Sequence, residues 1–183
     1  MKTQYYTASS LDGFIADSEN SLDWLLQFGE PAESYPIFIK DVGAIVMGST
    51  TYEWLLEHEI NKDKEQPTPW PYEQPAWVFS TRTLFVVPNA DIRFVKGDVK
   101  AVYPDMVTAA QGKNIWVVGG GDLAGQFLDQ GLLDELIITI TPVTLGGGAP
   151  LLPRRISNPP LKLLEVKHYG EFYAELRYEV CRD

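Results

Sequence analysis

The sequence predicts an α/β fold: a single domain, 1–183, built on a mixed, mostly parallel β-sheet flanked by helices on both faces and closed by a C-terminal β-hairpin. Three observations carry this. Short apolar runs such as Val42–Met47 and Ile115–Val118 end in glycine and pass directly into amphipathic segments, the pattern of strand, turn and helix start. Leu161–Tyr169 and Phe172–Val180 face one another across Gly170-Glu171 as a hairpin. The 183 residues, 45% hydrophobic and 12% aromatic, suffice for one full core, and no linker or repeat divides them.

Gln4 to Ala8 reads as the first strand, because Tyr5, Tyr6 and Thr7 favour extended backbone. Asp12-Gly13 then marks a turn, read as a plain hairpin. Ser21 to Phe28 is a short apolar cover. Ser34 to Lys40 is expected to be a helix with Ser34 as N-cap and Pro36 in its first turn. Val42 to Met47 is a buried strand. In the helix after it, Thr50 and Glu53 have the spacing of a capping box, and the hydroxyls there could equally bind a phosphate. Glu57 to Gln74, charged and then proline-rich, reads as a long surface loop whose Trp70 and Tyr72 could line a pocket.

Ala76 to Phe79 is a strand ending in Ser80-Thr81-Arg82-Thr83. That group is either a phosphate contact or a solvated turn. Ile92 to Val95 is a strand, and Pro104 to Gln111 a helix with proline in its first turn. Ile115 to Val118 runs into Gly119-Gly120-Gly121 and a helix ending near Gly131. The glycines can take positive φ and expose N–H groups at a helix start, which makes either a phosphate seat or a turn that merely needs glycine. A Rossmann turn would come after the first strand, and a Walker loop would carry Lys-Ser or Lys-Thr; neither fits here. Leu136 to Thr141 is a buried strand. Gly146-Gly147-Gly148, bracketed by Pro142 and Pro150, is a loop with Leu151 and Leu152 as an apolar anchor. In the last strand Phe172, Ala174, Leu176, Tyr178 and Val180 alternate with Tyr173, Glu175, Arg177, Glu179 and Cys181, which puts Cys181 on the polar face without a catalytic role.

The net charge of −10 disfavours nucleic acid and anionic membranes. No apolar run is long enough to span a bilayer, and the start lacks the apolar core of a signal peptide. One cysteine and two histidines, His58 and His168, disfavour an internal disulfide and a metal site of those residues. A cytoplasmic location is expected.

Four motifs occur in order: Ser10-Leu11-Asp12-Gly13-Phe14-Ile15-Ala16; Met47-Gly48-Ser49-Thr50-Thr51-Tyr52-Glu53; Val118-Gly119-Gly120-Gly121-Asp122-Leu123-Ala124; and Asp134-Glu135-Leu136 followed by Pro142-Val143-Thr144-Leu145-Gly146-Gly147-Gly148. With them the chain resembles the dihydrofolate-reductase-like superfamily over nearly its whole length. It is most similar to the reductase domain at the C-terminus of the bifunctional riboflavin-biosynthesis protein.

The resemblance implies NADPH in an extended pose over the C-terminal strand ends. Ala8, Ile15 and Ala16 would lie near the nicotinamide. Gly48, Ser49, Thr50 and Thr51, with Val118, Gly119, Gly120, Gly121, Asp122 and Leu123, would flank the pyrophosphate. Ser80, Thr81 and Arg82 would approach the adenosine 2′-phosphate. Ser49 stands where folate reductases carry a basic residue, which leaves Arg82 as the main candidate there. The expected activity is hydride transfer to a small pyrimidine- or pterin-type heterocycle, with Glu33, Glu30 and Asp12 as candidate proton donors. The segment directly after Glu53 carries no arginine that could hold a folate tail. Arg154 and Arg155 are the adjacent basic pair that could meet a ribose phosphate or simply be surface. The deaminase half, with its His-x-Glu and Pro-Cys-x-x-Cys, is absent. The alternatives are a catalytically silent nucleotide-binding protein and an apolar-ligand module using Trp24, Trp70 and Tyr72. The expected partner is a small-molecule substrate, with a homodimer as a compatible assembly.

Overall fold

The computed structural model describes residues 1–29, 34–61 and 66–182. Eight strands form one sheet in the order β5-β4-β3-β6-β1-β7-β10-β9. They are β1 (Thr3–Ser10), β3 (Val42–Gly48), β4 (Ala76–Phe79), β5 (Ile92–Val95), β6 (Asn114–Gly119), β7 (Glu135–Thr141), β9 (Lys162–Tyr169) and β10 (Tyr173–Glu179). β5 through β7 in that order are mutually parallel. β10 runs antiparallel to β7, and β9 antiparallel to β10. Two further strands, β2 (Phe14–Ala16) and β8 (Ala149–Pro150), pair with each other apart from the main sheet. The expected mixed, mostly parallel sheet with a terminal hairpin is therefore present.

Helices cover both faces. α4 (Val99–Ala110) and α5 (Gly121–Asp129) close a core around Tyr5, Val46, Val117 and Phe127. α2 (Ser34–Lys40) and α3 (Ser49–Leu55), the latter continued by a π-turn at Leu56–Ile60, border a second core around Ile45, Met47, Tyr52 and Trp116. α1 (Asp23–Leu26) adds the buried Trp24. α5 ends as its sequence suggests. Gly131 sits at φ +66°, and the N–H of Leu132 reaches back to the Phe127 carbonyl at 2.8 Å, satisfying a terminal acceptor.

Several local expectations are corrected. Asp12-Gly13 does form a turn, with Gly13 N–H donating to the Ser10 carbonyl at 3.1 Å, but β2 leaves β1 to pair with β8. α4 begins five residues before Pro104, where Asp98 caps the Lys100 N–H at 2.8 Å. Proline is tolerated inside because the carbonyl it leaves without a donor belongs to exposed Lys100, where water reaches it. Ser34 is the first helical residue rather than a cap, and its hydroxyl donates to Glu175. The Thr50–Glu53 capping box does not form: α3 is capped by Gly48 without a side-chain bond, and Glu53 binds Arg82 instead. Trp70 packs at a tilt against Tyr52, and Tyr72 packs edge-on against Trp116, both on the second core. On β10 the phase is reversed near its start. Tyr173 and Glu175 are buried while neighbouring Phe172 is 48% exposed. Cys181 lies beyond the strand, half-buried.

Candidate active site

The carboxyl ends of β4, β3, β6 and β1 stand side by side. At about 4.8 Å per strand they make a ledge roughly 14 Å long. The chain turns to opposite sides of β1 here, with β6 on one flank and β7 on the other, and such a switch point opens a crevice for ligands.

Contacts along the ledge are continuous. A Cβ on Gly48 would meet the Gly119 carbonyl oxygen and Gly120 nitrogen at 3.9 Å. One on Gly119 would meet Thr51 Oγ1 at 3.1 Å, and one on Gly120 would meet only Ile15 Cδ1, at 3.9 Å. At the far end Arg82 Nη2 donates to Ser49 Oγ at 3.1 Å. A band thus runs from Arg82 through Ser49, Gly48, Thr51, Gly119 and Gly120 to Ile15. None of the three glycines at 119–121 has positive φ, contrary to the expected use of their freedom. Gly121 is the one of the three that backbone crowding requires. A Cβ on Gly121 would stand 2.3 Å from the carbonyl oxygens of Pro150 and Leu151. The 119–120 peptide bond is cis.

Both helices that start on the band, α3 at Gly48 and α5 at Gly120, lack a side-chain cap. Their first N–H groups therefore point at the ledge without a side-chain acceptor, which suits a bound anion such as a pyrophosphate. Val118 and Leu123 turn into the two cores, and Asp122 turns out to Gln126 and Arg154. These three can face the ledge only through backbone. The bond from Gln126, ahead of that from Arg154, holds the Asp122 carboxyl below its usual range. Thr50 is exposed, and Ser80 and Thr81 form the turn before Arg82, whose N–H donates to Ser80 Oγ at 3.0 Å.

Ile15 and Ala16 are positioned by the second glycine loop. Asp12 accepts from Ser10 Oγ at 2.7 Å, from Leu145 N–H at 3.0 Å and from Gly146 N–H at 2.7 Å. Leu151 N–H donates to the Gly13 carbonyl, and Ala16 pairs with Ala149. The Ser10 hydroxyl, then the two backbone amides, pull the Asp12 carboxyl down to about 2. It is an ionised acceptor that fastens one loop to another, the opposite of what the expected proton donor requires. Glu30 and Glu33 lie outside the described residues.

Beside the ledge, a cavity of about 160 Å³ opens between β1, β7 and α1, lined by Tyr6, Ala8, Leu25, Leu26, Thr139 and Tyr173. Ala8, Thr139 and Glu175 stand in direct register across three strands. Glu175, 7% exposed, accepts from Ser34 Oγ at 2.5 Å, and Ser34 Oγ lies 3.1 Å from the Tyr6 hydroxyl. Burial, moderated by Ser34, pushes the Tyr6 phenol up to about 12. Thr139, Tyr173 and Glu175 are absent from the sequence-based candidates. A signal for Thr139 exists, since Thr139 and Thr141 interrupt an apolar strand at a spacing of two, on one face. Arg154 and Arg155 stand away from this cavity. Arg154 clamps Asp129 at 2.7 Å and Asp122 at 3.1 Å, and Arg155 bonds Ser157.

This sheet order, with its ledge and flanking cavity, defines a dihydrofolate-reductase-like α/β domain. A dihydrofolate reductase from Enterococcus faecalis solved with NADP(H) superposes with a TM-score of 0.62 at 14% identity, covering 97% of this chain and 95% of that one. The chain belongs to the RibD C-terminal domain family, which matches residues 2–174. It is 32% identical over 171 residues to the uncharacterised protein YwjB of Bacillus subtilis, covering 93% of each. It is also similar, with a TM-score of 0.78 at 29% identity and full coverage of both chains, to a Shewanella structure provisionally assigned to riboflavin biosynthesis. A Thermotoga maritima deaminase and 5-amino-6-(5-phosphoribosylamino)uracil reductase shares the fold, with a TM-score of 0.62 at 16% identity, over 98% of this chain and 56% of that one. No helix among the described residues is long and apolar enough to cross a membrane.

Proposed function

We propose that this chain is a nicotinamide-dependent reductase that transfers hydride from NADPH to a small heterocycle of pyrimidine or pterin type. The observation that carries the reading is the unbroken band from Arg82 to Ile15, with two helix starts lacking side-chain caps upon it and a cavity at its Ala8 end. Family membership supports it.

Bound there, the dinucleotide would supply the hydride, and the protein's part is to bind, orient and exclude water. Gly48, Gly119 and Gly120 leave the band bare of side chains, so a pyrophosphate can approach backbone N–H groups. Ile15, held by the Asp12 staple, would press one face of the nicotinamide, and Ala8 leaves space beneath its other end. Leu25, Leu26 and Tyr173 wall the cavity against water. The substrate ring would sit against Thr139, whose neighbour across the strands is Glu175. A homodimer and a cytoplasmic location belong to the same reading.

Titration of NADPH fluorescence tests binding, and NADPH oxidation with 5-amino-6-ribosylaminouracil 5′-phosphate and with a dihydropterin tests the chemistry. Saturable binding with turnover of either compound is expected. Saturable binding with neither compound reduced would favour the silent nucleotide-binding protein, whose support is that no described residue stands as an evident proton donor. Failure to bind any dinucleotide would sink both.

A further inference from the structure

The 2′-phosphate of the expected cofactor needs a free cation, and Arg82 is already engaged. Its Nη1 donates to Glu53 Oε1 at 3.0 Å, its Nη2 to Glu53 Oε2 at 2.6 Å, and the same Nη2 to Ser49 Oγ at 3.1 Å. This is the two-pronged guanidinium–carboxylate geometry that a phosphate would itself adopt. The three side chains come from two segments: Arg82 just beyond the β4 end, and Ser49 and Glu53 on α3, four residues and so about one turn apart. They are drawn together at the adenosine end of the band. Ser49 contributes a hydroxyl where a second cation would otherwise strengthen phosphate binding.

We infer that Glu53 sets the choice of cofactor at this site, an inference that rests on the reductase reading above. A 2′-phosphate can take the two-pronged Nη1–Nη2 edge of Arg82 only by displacing Glu53, and at the remaining N–H groups it would bind with Glu53 still paired beside it. Either way an ionised carboxylate stands beside a near-dianion, a like-charge contact. A 2′,3′-diol makes no such demand. Its hydroxyls donate to the carboxylate while the fork to Arg82 stays closed, as acidic residues do for the ribose of NADH elsewhere. Glu53 is 42% exposed in its side chain, so it has lone pairs to offer. Lys96, directly after β5, is a further described cation at this end of the sheet. It is exposed and its charge does not remove the repulsion at Glu53. The chain therefore takes NADH about as readily as NADPH, and Glu53, rather than the absence of cations alone, is the cause.

Calorimetric titration of NADP⁺ and NAD⁺ into the wild type, Glu53→Gln, Arg82→Ala and the double variant tests this. Thermal melts check that each variant is folded, which the surface position of both residues favours. The wild type should bind the two within about threefold of each other. Glu53→Gln should shift the ratio toward NADP⁺ by about tenfold or more, through tighter NADP⁺ and nearly unchanged NAD⁺. Adding Arg82→Ala should erase that gain, which a merely structural role for Glu53 would not produce. A wild type preferring NADP⁺ by more than tenfold, with the ratio unmoved in Glu53→Gln, overturns the inference and leaves the reductase reading standing. No binding of either nucleotide to the wild type overturns both.

Discussion

A Cβ added to Gly121 would stand 2.3 Å from the Leu151 carbonyl oxygen, so the first residue of α5 and the loop after β8 touch backbone to backbone. Leu151 is fixed from two other sides: its N–H donates to the Gly13 carbonyl at 2.9 Å, and the Tyr5 hydroxyl donates to its carbonyl at 3.0 Å. Neither backbone can yield. Gly121→Ala should destabilise by about 1–3 kcal/mol, read as a lowered urea midpoint.

Gly120, one residue away, faces open space with only Ile15 Cδ1 at 3.9 Å. Gly120→Val should therefore fold, yet fill the place meant for the pyrophosphate. NADPH affinity should fall at least tenfold, roughly 1.4 kcal/mol. A folded variant of unchanged affinity would remove the pyrophosphate from this turn.

Glu135, with 1% of its side chain exposed, receives hydrogen bonds from Lys2, from Gln4 at 2.7 Å and from Arg177 at 2.6 Å. Burial raises its pKa, but these donors outweigh burial and hold it below the ordinary 4.5. A depressed carboxyl contributes stability that is full above the unfolded value and is lost as pH falls through the folded one. Glu135→Gln should cost about 1–3 kcal/mol at pH 7. The gap between variant and wild type should narrow as the pH drops below 4.5. A gap constant with pH would assign the loss to packing.

Asp12 gives a second acid-sensitive readout, confined to a surface loop. Its staple to Leu145 and Gly146 persists above the usual carboxylate range and should release as pH falls through about 2. Nuclear magnetic resonance should show the two amides titrating together near that pH. Asp12→Asn should abolish the titration and speed amide exchange in residues 145–148. Two amides titrating near pH 4 instead would show that the staple does not form in solution.

β9 is an edge strand with Leu163, Leu164 and Val166 at 51%, 42% and 59% exposure. Unpaired edges with apolar side chains invite a second strand. The chain should sediment as a dimer at micromolar concentration, and Val166→Lys should shift it toward monomer. A monomeric wild type would end this expectation.

The strand, glycine turn and helix at residues 115–128 are plain in the sequence because local spacing alone dictates them. The start of α4 is not. Pro104 has the look of a first-turn proline, while the actual cap, Asp98, is an ordinary polar residue that caps only because a helix begins at Val99. β10 misleads for another reason. Elements cover its two faces unequally along its length, so simple alternation fails where Tyr173 and Glu175 meet α1, α2 and the cavity. The band of glycines is legible as a likeness of motifs. The Arg82–Glu53 fork is not, since two charged surface residues 29 positions apart carry no pattern that forecasts their meeting.

β1, the earliest strand in the chain, lies at the centre of the sheet between β6 and β7. Both neighbours are synthesised more than a hundred residues later, beginning at Asn114 and Glu135. A growing chain thus carries Tyr5 and its flanking backbone unpaired until most of the polypeptide has left the ribosome. The early strands β3, β4 and β5 can pair among themselves, but the seam that joins the two halves of the molecule, and with it the crevice at Ala8, closes last. Ordering of that seam is a late, long-range event, and such non-local pairing is slow. Any activity at the crevice must therefore await the completed sheet, and no N-terminal fragment of the chain can possess it.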